Sequence, residues 1–199
     1  MSNSYSANRV FMIGWEYPPH NSGGLGVACE GLTQALSQSN TQIYFSLPYV
    51  HSGLISHMNV LSCVDPSWDV VGIDGKQIPP FQAYTGALPE SKSLVDAIKK
   101  FNIDTLRALP QSELENKVHQ YADSVGSQGK RLQHNYDLIH AHDWMSYPAA
   151  MKLKQETGKA YIAHIHSTEF DRIPSGYGSN YIMRTEYEGC LLYTSPSPR

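Results

Sequence analysis

The sequence predicts an α/β domain built on a doubly wound, parallel sheet. Three observations carry this. Apolar runs of strand length recur at residues 9–14 (RVFMIG), 41–47 (TQIYFSL), 136–141 and 160–165, with helical periodicity between them. The first run leads through a glycine-rich loop into a helix. The last two runs flank one short amphipathic helix, a βαβ arrangement whose strands are parallel neighbours.

Taken in order, residues 9–14 are apolar enough for burial on both faces, as in a parallel sheet. WEYPPHNSGGLG follows: Pro18 and Pro19 forbid helix, while Gly23, Gly24 and Gly26 permit a tight turn and close backbone approach. Residues 25–39 place Val27, Leu32, Ala35 and Leu36 on one helical stripe. A strand, a glycine loop and a helix N-terminus together form an anion site, because unpaired N–H groups and the helix dipole face the loop. The loop fits neither GxGxxG nor a Walker A motif, and a turn without a ligand is the plain alternative. Residues 41–47 form the second strand, closed by Pro48.

Short strands are expected at 59–63 and 70–73, and a short helix at 91–101. A longer helix is expected at 111–132, with Leu114, Val118, Tyr121, Ala122 and Val125 as an ordinary buried face and Gly126 and Gly129 weakening its end. Residues 136–172 then organise the rest. Each of their two strands ends in His-x-His (His140 and His142, His164 and His166), and Ala149, Ala150, Leu153 and Lys154 mark the helix between, stopped by Gly158. The carboxyl ends of parallel strands are where open α/β sheets bind ligands. The element order is Rossmann-like. A last helix begins at 180–188.

Composition narrows the function classes. With 199 residues, 41% apolar, the chain suits one α/β domain. A net charge of −3 gives no electrostatic footprint for nucleic acid or an anionic membrane. No run reaches transmembrane length, and the first ten residues lack the apolar core of a signal peptide, so a cytoplasmic location is expected. Cys29, Cys63 and Cys190 are too scattered for a disulfide frame and read as small buried thiols.

Four blocks, in order, carry a family resemblance: WEYPPHNSGGLG, DLIHAHDW, AHIHSTEFDR and YIMRTEYEG. Over roughly residues 8–189, with 54–134 poorly matched, the chain resembles the N-terminal part of retaining GT-B glycosyltransferases of the glycogen/starch synthase and glycosyltransferase family 4 group. The resemblance implies an acceptor-side Rossmann-like domain, truncated, whose partner is a C-terminal domain that binds the nucleotide-sugar donor. It implies transfer of a hexosyl group to a carbohydrate or glycoconjugate hydroxyl with retention of configuration, no metal and no cofactor beyond the donor itself. This fragment alone would be inactive.

Residue by residue, Gly23 and Gly24 look like the loop that approaches the donor's diphosphate. His166 is similar to the family's cleft histidine near the reacting sugar, which makes it the catalytic candidate. Asp143 looks like the cleft-lining acid, and Glu169 falls, with Asp171 and Arg172, in the TEFDR-like segment. Synthases proper carry Lys two residues before the glycine pair, where this chain has Asn21. From Cys190 onward, CLLYTSPSPR resembles a translated library adapter, which implies an incomplete domain at 1–189 followed by a non-native tail.

Two alternatives stand beside this reading. His-x-His at strand ends is also metal-ligand spacing, so His140 with His142, or His164 with His166, would serve a metal-dependent hydrolase. A non-catalytic carbohydrate-binding module would use the Tyr and Trp residues for sugar stacking. On the residues alone, His140 and His164 read as packed strand positions, Trp15 and Trp144 as loop-positioning packing, and Glu16 as either a sugar ligand or an ordered loop carboxylate.

Overall fold

The structure is a computed structural model that describes residues 8–19, 24–49, 51, 55–63, 111–172 and 178–192. Gly23, Asn21 and the expected elements at 70–73 and 91–101 lie outside the described residues. The elements are β1 (Arg9–Ile13), α1 (Gly24–Gln38), β2 (Gln42–Leu47), β3 (Asn59–Ser62), α2 (Gln111–Arg131), β4 (Leu138–His142), α3 (Tyr147–Thr157), β5 (Ala160–His164), α4 (Glu169–Arg172) and α5 (Asn180–Tyr187). A π-helical turn, Glu188–Leu192, continues α5.

Among the described residues the strands form one parallel sheet in the order β3-β2-β1-β4-β5. The order is that of a Rossmann-like domain. Winding reverses between β1 and β4, which opens a crevice at their carboxyl ends. Met12 is in register with Phe45 of β2 and with His140 of β4. His142 is in register with His164 of β5.

Alternation along β1 divides the core in two. Val10 and Met12 pack with Ile43, Phe45, Leu47 and Cys29 on the α1 side. Phe11 and Ile13 pack with Val118, Tyr121 and Val125 of α2 and Ala149, Ala150 and Leu153 of α3 on the other. A strand buried on both faces explains why RVFMI is continuously apolar.

Three readings of the helices change. On α1 the buried stripe is not the one expected: Val27 is 57% exposed and Ala35 faces solvent, while Leu25, Cys29, Leu32 and Leu36 meet the core. Those four positions are spaced by four, three and four residues, which keeps them on one face, whereas Val27 lies about half a turn from Leu25.

On α2 the glycines do not weaken the end, since the helix runs through both to Arg131. A Cβ on Gly129 would stand 2.7 Å from Leu153 Cδ1, so the missing side chain is what lets α3 pack closely. Tyr121 is more than a helix-face residue. Its hydroxyl donates to the Gly14 carbonyl at 2.7 Å, with the Ser46 carbonyl at 3.1 Å, and ties α2 to the carboxyl ends of β1 and β2.

α3 follows expectation. Ala149, Ala150 and Leu153 are buried, and Gly158 stops the helix at φ 68°, its N–H donating to the Lys154 carbonyl at 2.9 Å. Ser179 caps α5 by accepting from the Ile182 N–H. Beyond α5 the helical path passes residue 189, and Cys190 packs against the larger core cluster. No helix among the described residues is long and apolar enough to cross a membrane.

Candidate functional site

β1 delivers the chain to Gly14, where any side chain would strike the ring of Phe45: a Cβ would lie 2.5 Å from Phe45 Cζ. Trp15 and Glu16 follow, both buried. The Trp15 ring stands edge-on to Tyr121 at 5.2 Å, a packing role as expected. Tyr17 is held at three points. Its N–H donates to the Tyr49 hydroxyl at 2.9 Å, and its own hydroxyl lies 2.9 Å from Thr33 Oγ1 and 3.2 Å from His57 Nε2. The segment after β1 is therefore fixed to α1 and to the residues that precede β3. α1 begins at Gly24, where an added Cβ would meet open space.

β4 and β5 bring four histidines together at the same edge. His140 Nε2 lies 3.2 Å from His164 Nδ1, and His142 Nδ1 lies 3.1 Å from His166 Nε2. Along each strand the rings stack, His140 on His142 at 4.4 Å and His164 on His166 at 4.3 Å between centroids. The result is a two-by-two array: hydrogen bonds run across the strands and stacking runs along them. Alternate residues of a strand share a face, and the parallel register sets the two pairs side by side.

Burial disfavours the charged form of three of these rings, His140, His142 and His166. The His140 ring is pushed down to about 4, chiefly by loss of hydration and then by its histidine neighbours. His142, fully buried, is driven well below the ordinary imidazole range for the same reasons. His166 is half-buried and also lowered by burial, with the Asp143 carboxylate pulling the other way.

Asp143 closes the array. It sits just after β4 in the left-handed region at φ 62°, a conformation that Asp tolerates better than most residues. Its Oδ1 accepts the His166 backbone N–H at 2.8 Å, and its own N–H donates to the His164 carbonyl at 2.9 Å. Ser146 Oγ donates to the carbonyls of His142 and Asp143 at 2.8 and 2.7 Å. Trp144 is buried and packs edge-on to Tyr181, again a positioning role.

Glu169 sits elsewhere in the same wall. Its carboxylate is buried and turned inward, accepting the Ser179 N–H at 3.1 Å and pairing with Arg172 at 3.3 Å. Arg172 also reaches Glu186 at 2.7 Å and the Ser167 carbonyl at 2.6 Å. Asp171 caps the turn at Thr168, accepting from its N–H and hydroxyl at 2.7 Å each. Glu169 and Arg172 of the TEFDR segment, with Glu186, thus form a largely buried ion network that fixes the chain after β5. Among the expected site residues, the structure unites His166 and Asp143 directly and gives Glu169 a supporting place.

Sequence reasoning overlooked Cys29. It lies in α1, and its sulfur and ring nitrogens of His142 and His166 all fall within 4.8 Å of one another. A second such group is His140, His142 and His164. Either set has the composition of a zinc site. The geometry favours hydrogen bonding instead. One nitrogen of each imidazole lies within hydrogen-bond distance of a nitrogen of another, at 3.2 Å for His140 and His164 and 3.1 Å for His142 and His166. Burial pushes the Cys29 thiol up to about 12. Only spacing on the helix, four residues after Leu25, could have flagged Cys29 as facing the crevice.

Comparison with known proteins now decides the family. Residues 9–190 match the family described as the starch synthase catalytic domain. The chain belongs to this glycosyltransferase family. It is similar to an uncharacterized glycosyltransferase of Methanocaldococcus jannaschii, 27% identical over 192 residues, and spans 94% of its own length but only 39% of that protein. Among solved structures, sucrose-phosphate synthase from Thermosynechococcus elongatus superposes with a TM-score of 0.53 at 11% identity, covering 90% of this chain and 39% of that one. The catalytic domain of starch synthase IV from Arabidopsis thaliana, bound to ADP and acarbose, matches at a TM-score of 0.48 and 16% identity, over 83% of this chain and 35% of that one. The likeness to sucrose-phosphate synthase shows the parallel α/β fold of GT-B glycosyltransferases. The family match shows a glycosyltransferase domain.

Proposed function

We propose that this chain is the acceptor-side domain of a retaining glycosyltransferase that moves a hexosyl group from a nucleotide-sugar to a hydroxyl of a carbohydrate or glycoconjugate. The observation that carries the reading is the joining of Asp143 to His166 at the carboxyl edge of the sheet, with Cys29 of α1 beside His142 and His166, inside the segment matched by the family. The amides of the first turn of α1, from Gly24 onward, face the donor's diphosphate in this reading, where negative charge grows as the nucleotide leaves. His166 contacts the reacting sugar. Asp143 sets the height of His166 through its backbone, and the Glu169–Arg172–Glu186 network holds the segment behind it. The transfer needs no metal and no bound cofactor.

The chain spans 39% of its curated relative, so in this reading the donor is held by a second domain across the cleft. The separate domains would then lack the positioning that makes transfer fast. The test is a transfer assay on a longer natural protein that contains this domain, with a panel of nucleotide-sugars and oligosaccharide acceptors, and NMR of the product's anomeric centre. Transfer with retained configuration is expected from the longer protein and none from the 199-residue chain. A metal-dependent hydrolase activity without transfer would overturn the reading, and an inverted product would remove its retaining part.

A further inference from the structure

We propose that His142 fixes His166 as its Nδ1–H tautomer, so that His166 offers the site an N–H donor rather than a lone pair. The argument starts from the 3.1 Å contact between His142 Nδ1 and His166 Nε2. Two neutral imidazoles in hydrogen bond contact must divide their roles, one nitrogen donating and the other accepting. Both rings are neutral near pH 7, because burial disfavours their charged forms. Two assignments are therefore possible, and the rest of the His142 ring chooses between them.

His142 is fully buried, and its Nε2 has no hydrogen bond partner. If His142 accepted at Nδ1, its single proton would sit on Nε2 as a buried donor with nothing to receive it. If His142 donates from Nδ1, Nε2 keeps only a lone pair. Buried N–H groups without acceptors are the rarer and costlier defect. The Cys29 thiol, held in its protonated form, adds an S–H close to the same ring, and a lone pair is its complement. His142 Nδ1–H therefore donates to His166 Nε2.

His166 Nε2 is then an acceptor and its proton resides on Nδ1. Among the described residues that nitrogen makes no hydrogen bond, and the ring is half-buried rather than sealed. The backbone is pinned as well, since the His166 N–H is held by Asp143 Oδ1. His166 thus presents a fixed N–H at the mouth of the array. Such a group stabilises an oxygen that carries or gains negative charge, such as a sugar hydroxyl oxygen or a leaving oxygen. It does not remove a proton from an attacking hydroxyl. His142 is a positioning residue in this scheme, acting through His166. The consequence for sugar transfer rests on the glycosyltransferase reading; the tautomer itself does not.

The test is long-range 1H–15N NMR of the 199-residue chain with 15N-labelled histidine, at a pH of about 7.5 where these rings are neutral. The expected result is a protonated Nδ1 and an unprotonated Nε2 for His166. His142→Phe keeps an aromatic ring in the stack but removes the donor, and His166 should move toward the Nε2–H form that free imidazoles prefer. His142→Asn, whose amide nitrogen can replace Nδ1–H, should restore the Nδ1–H form. A His166 protonated at Nε2 in the unaltered chain overturns the proposal, whether or not the variants fold. So does a folded His142→Phe in which His166 is unchanged. If the tautomer is as expected and no transfer is found for the longer protein, the glycosyltransferase reading fails alone.

Discussion

Asp143 and His166 are joined across the carboxyl ends of neighbouring strands: Oδ1 of the first accepts the backbone N–H of the second at 2.8 Å. The bond runs from a residue in the left-handed region to the residue that carries the candidate catalytic ring. It holds the position of that ring without touching its nitrogens. Asp143→Ala leaves a partly buried N–H unpaired and places Ala at positive φ, and should lower stability by about 1–3 kcal/mol. Asp143→Asn keeps an acceptor and tolerates the backbone, so its loss should stay under about 1 kcal/mol. Urea unfolding of the two variants measures the difference, and equal losses would show that the bond contributes nothing.

The histidine array should make stability fall on the acid side. His140 is held near 4 in the folded chain against an ordinary 6.5, and His142 is also held well below its ordinary value. Between those limits the unfolded chain binds more protons than the folded one. The stabilisation is therefore fully present above pH 6.5 and lost as pH drops toward 4, by up to about 1.4 kcal/mol per pH unit for each histidine that stays neutral only when folded. Chemical denaturation across pH 4–7 reads the slope, and His140→Gln should flatten it. A pH-independent profile in this window would contradict the neutral array.

Helix contacts give a paired test in the core. Gly129→Ala gains helix propensity but drives a methyl group against the fully buried Leu153, and should destabilise by about 1–3 kcal/mol. Gly31→Ala, on the exposed face of α1 with nothing within 4 Å of the new Cβ, should stabilise by about 0.5–1 kcal/mol. Thermal melts of both variants distinguish a packing glycine from a tolerated one.

Metal chemistry is open to direct measurement. The purified chain should carry less than stoichiometric zinc, and a chelator should leave its melting temperature unchanged, because one nitrogen of each imidazole is already paired with another imidazole. Zinc at one per chain, with a chelator-induced drop in melting temperature, would restore the hydrolase alternative through Cys29, His142 and His166 or through His140, His142 and His164.

Catalysis is tested in a longer protein that retains this domain. His166→Ala should cut the rate by roughly 10²–10⁴, as for a positioned polar catalyst. Unaltered kinetics would remove His166 from the mechanism.

The sequence by itself determined the parallel α/β class, the strands around 9–14, 41–47, 136–141 and 160–165, and the placing of both His-x-His pairs at strand ends. These follow from local rules: apolar runs of strand length, a helix between them, and Gly158 as a stop, all visible along the chain. Tertiary structure alone decided what those residues do to one another. Which face of α1 turns inward depends on what it packs against, so Val27 went outward and Cys29 inward. Gly129 reads as a helix weakness until Leu153 is seen beside it.

The four histidines looked equivalent by spacing. Only the register of β4 against β5, with the left-handed turn at Asp143, buried His142, left His166 half-open and joined the two by one hydrogen bond. Contacts between residues 24 positions apart form only where the two strands pair in register across the sheet.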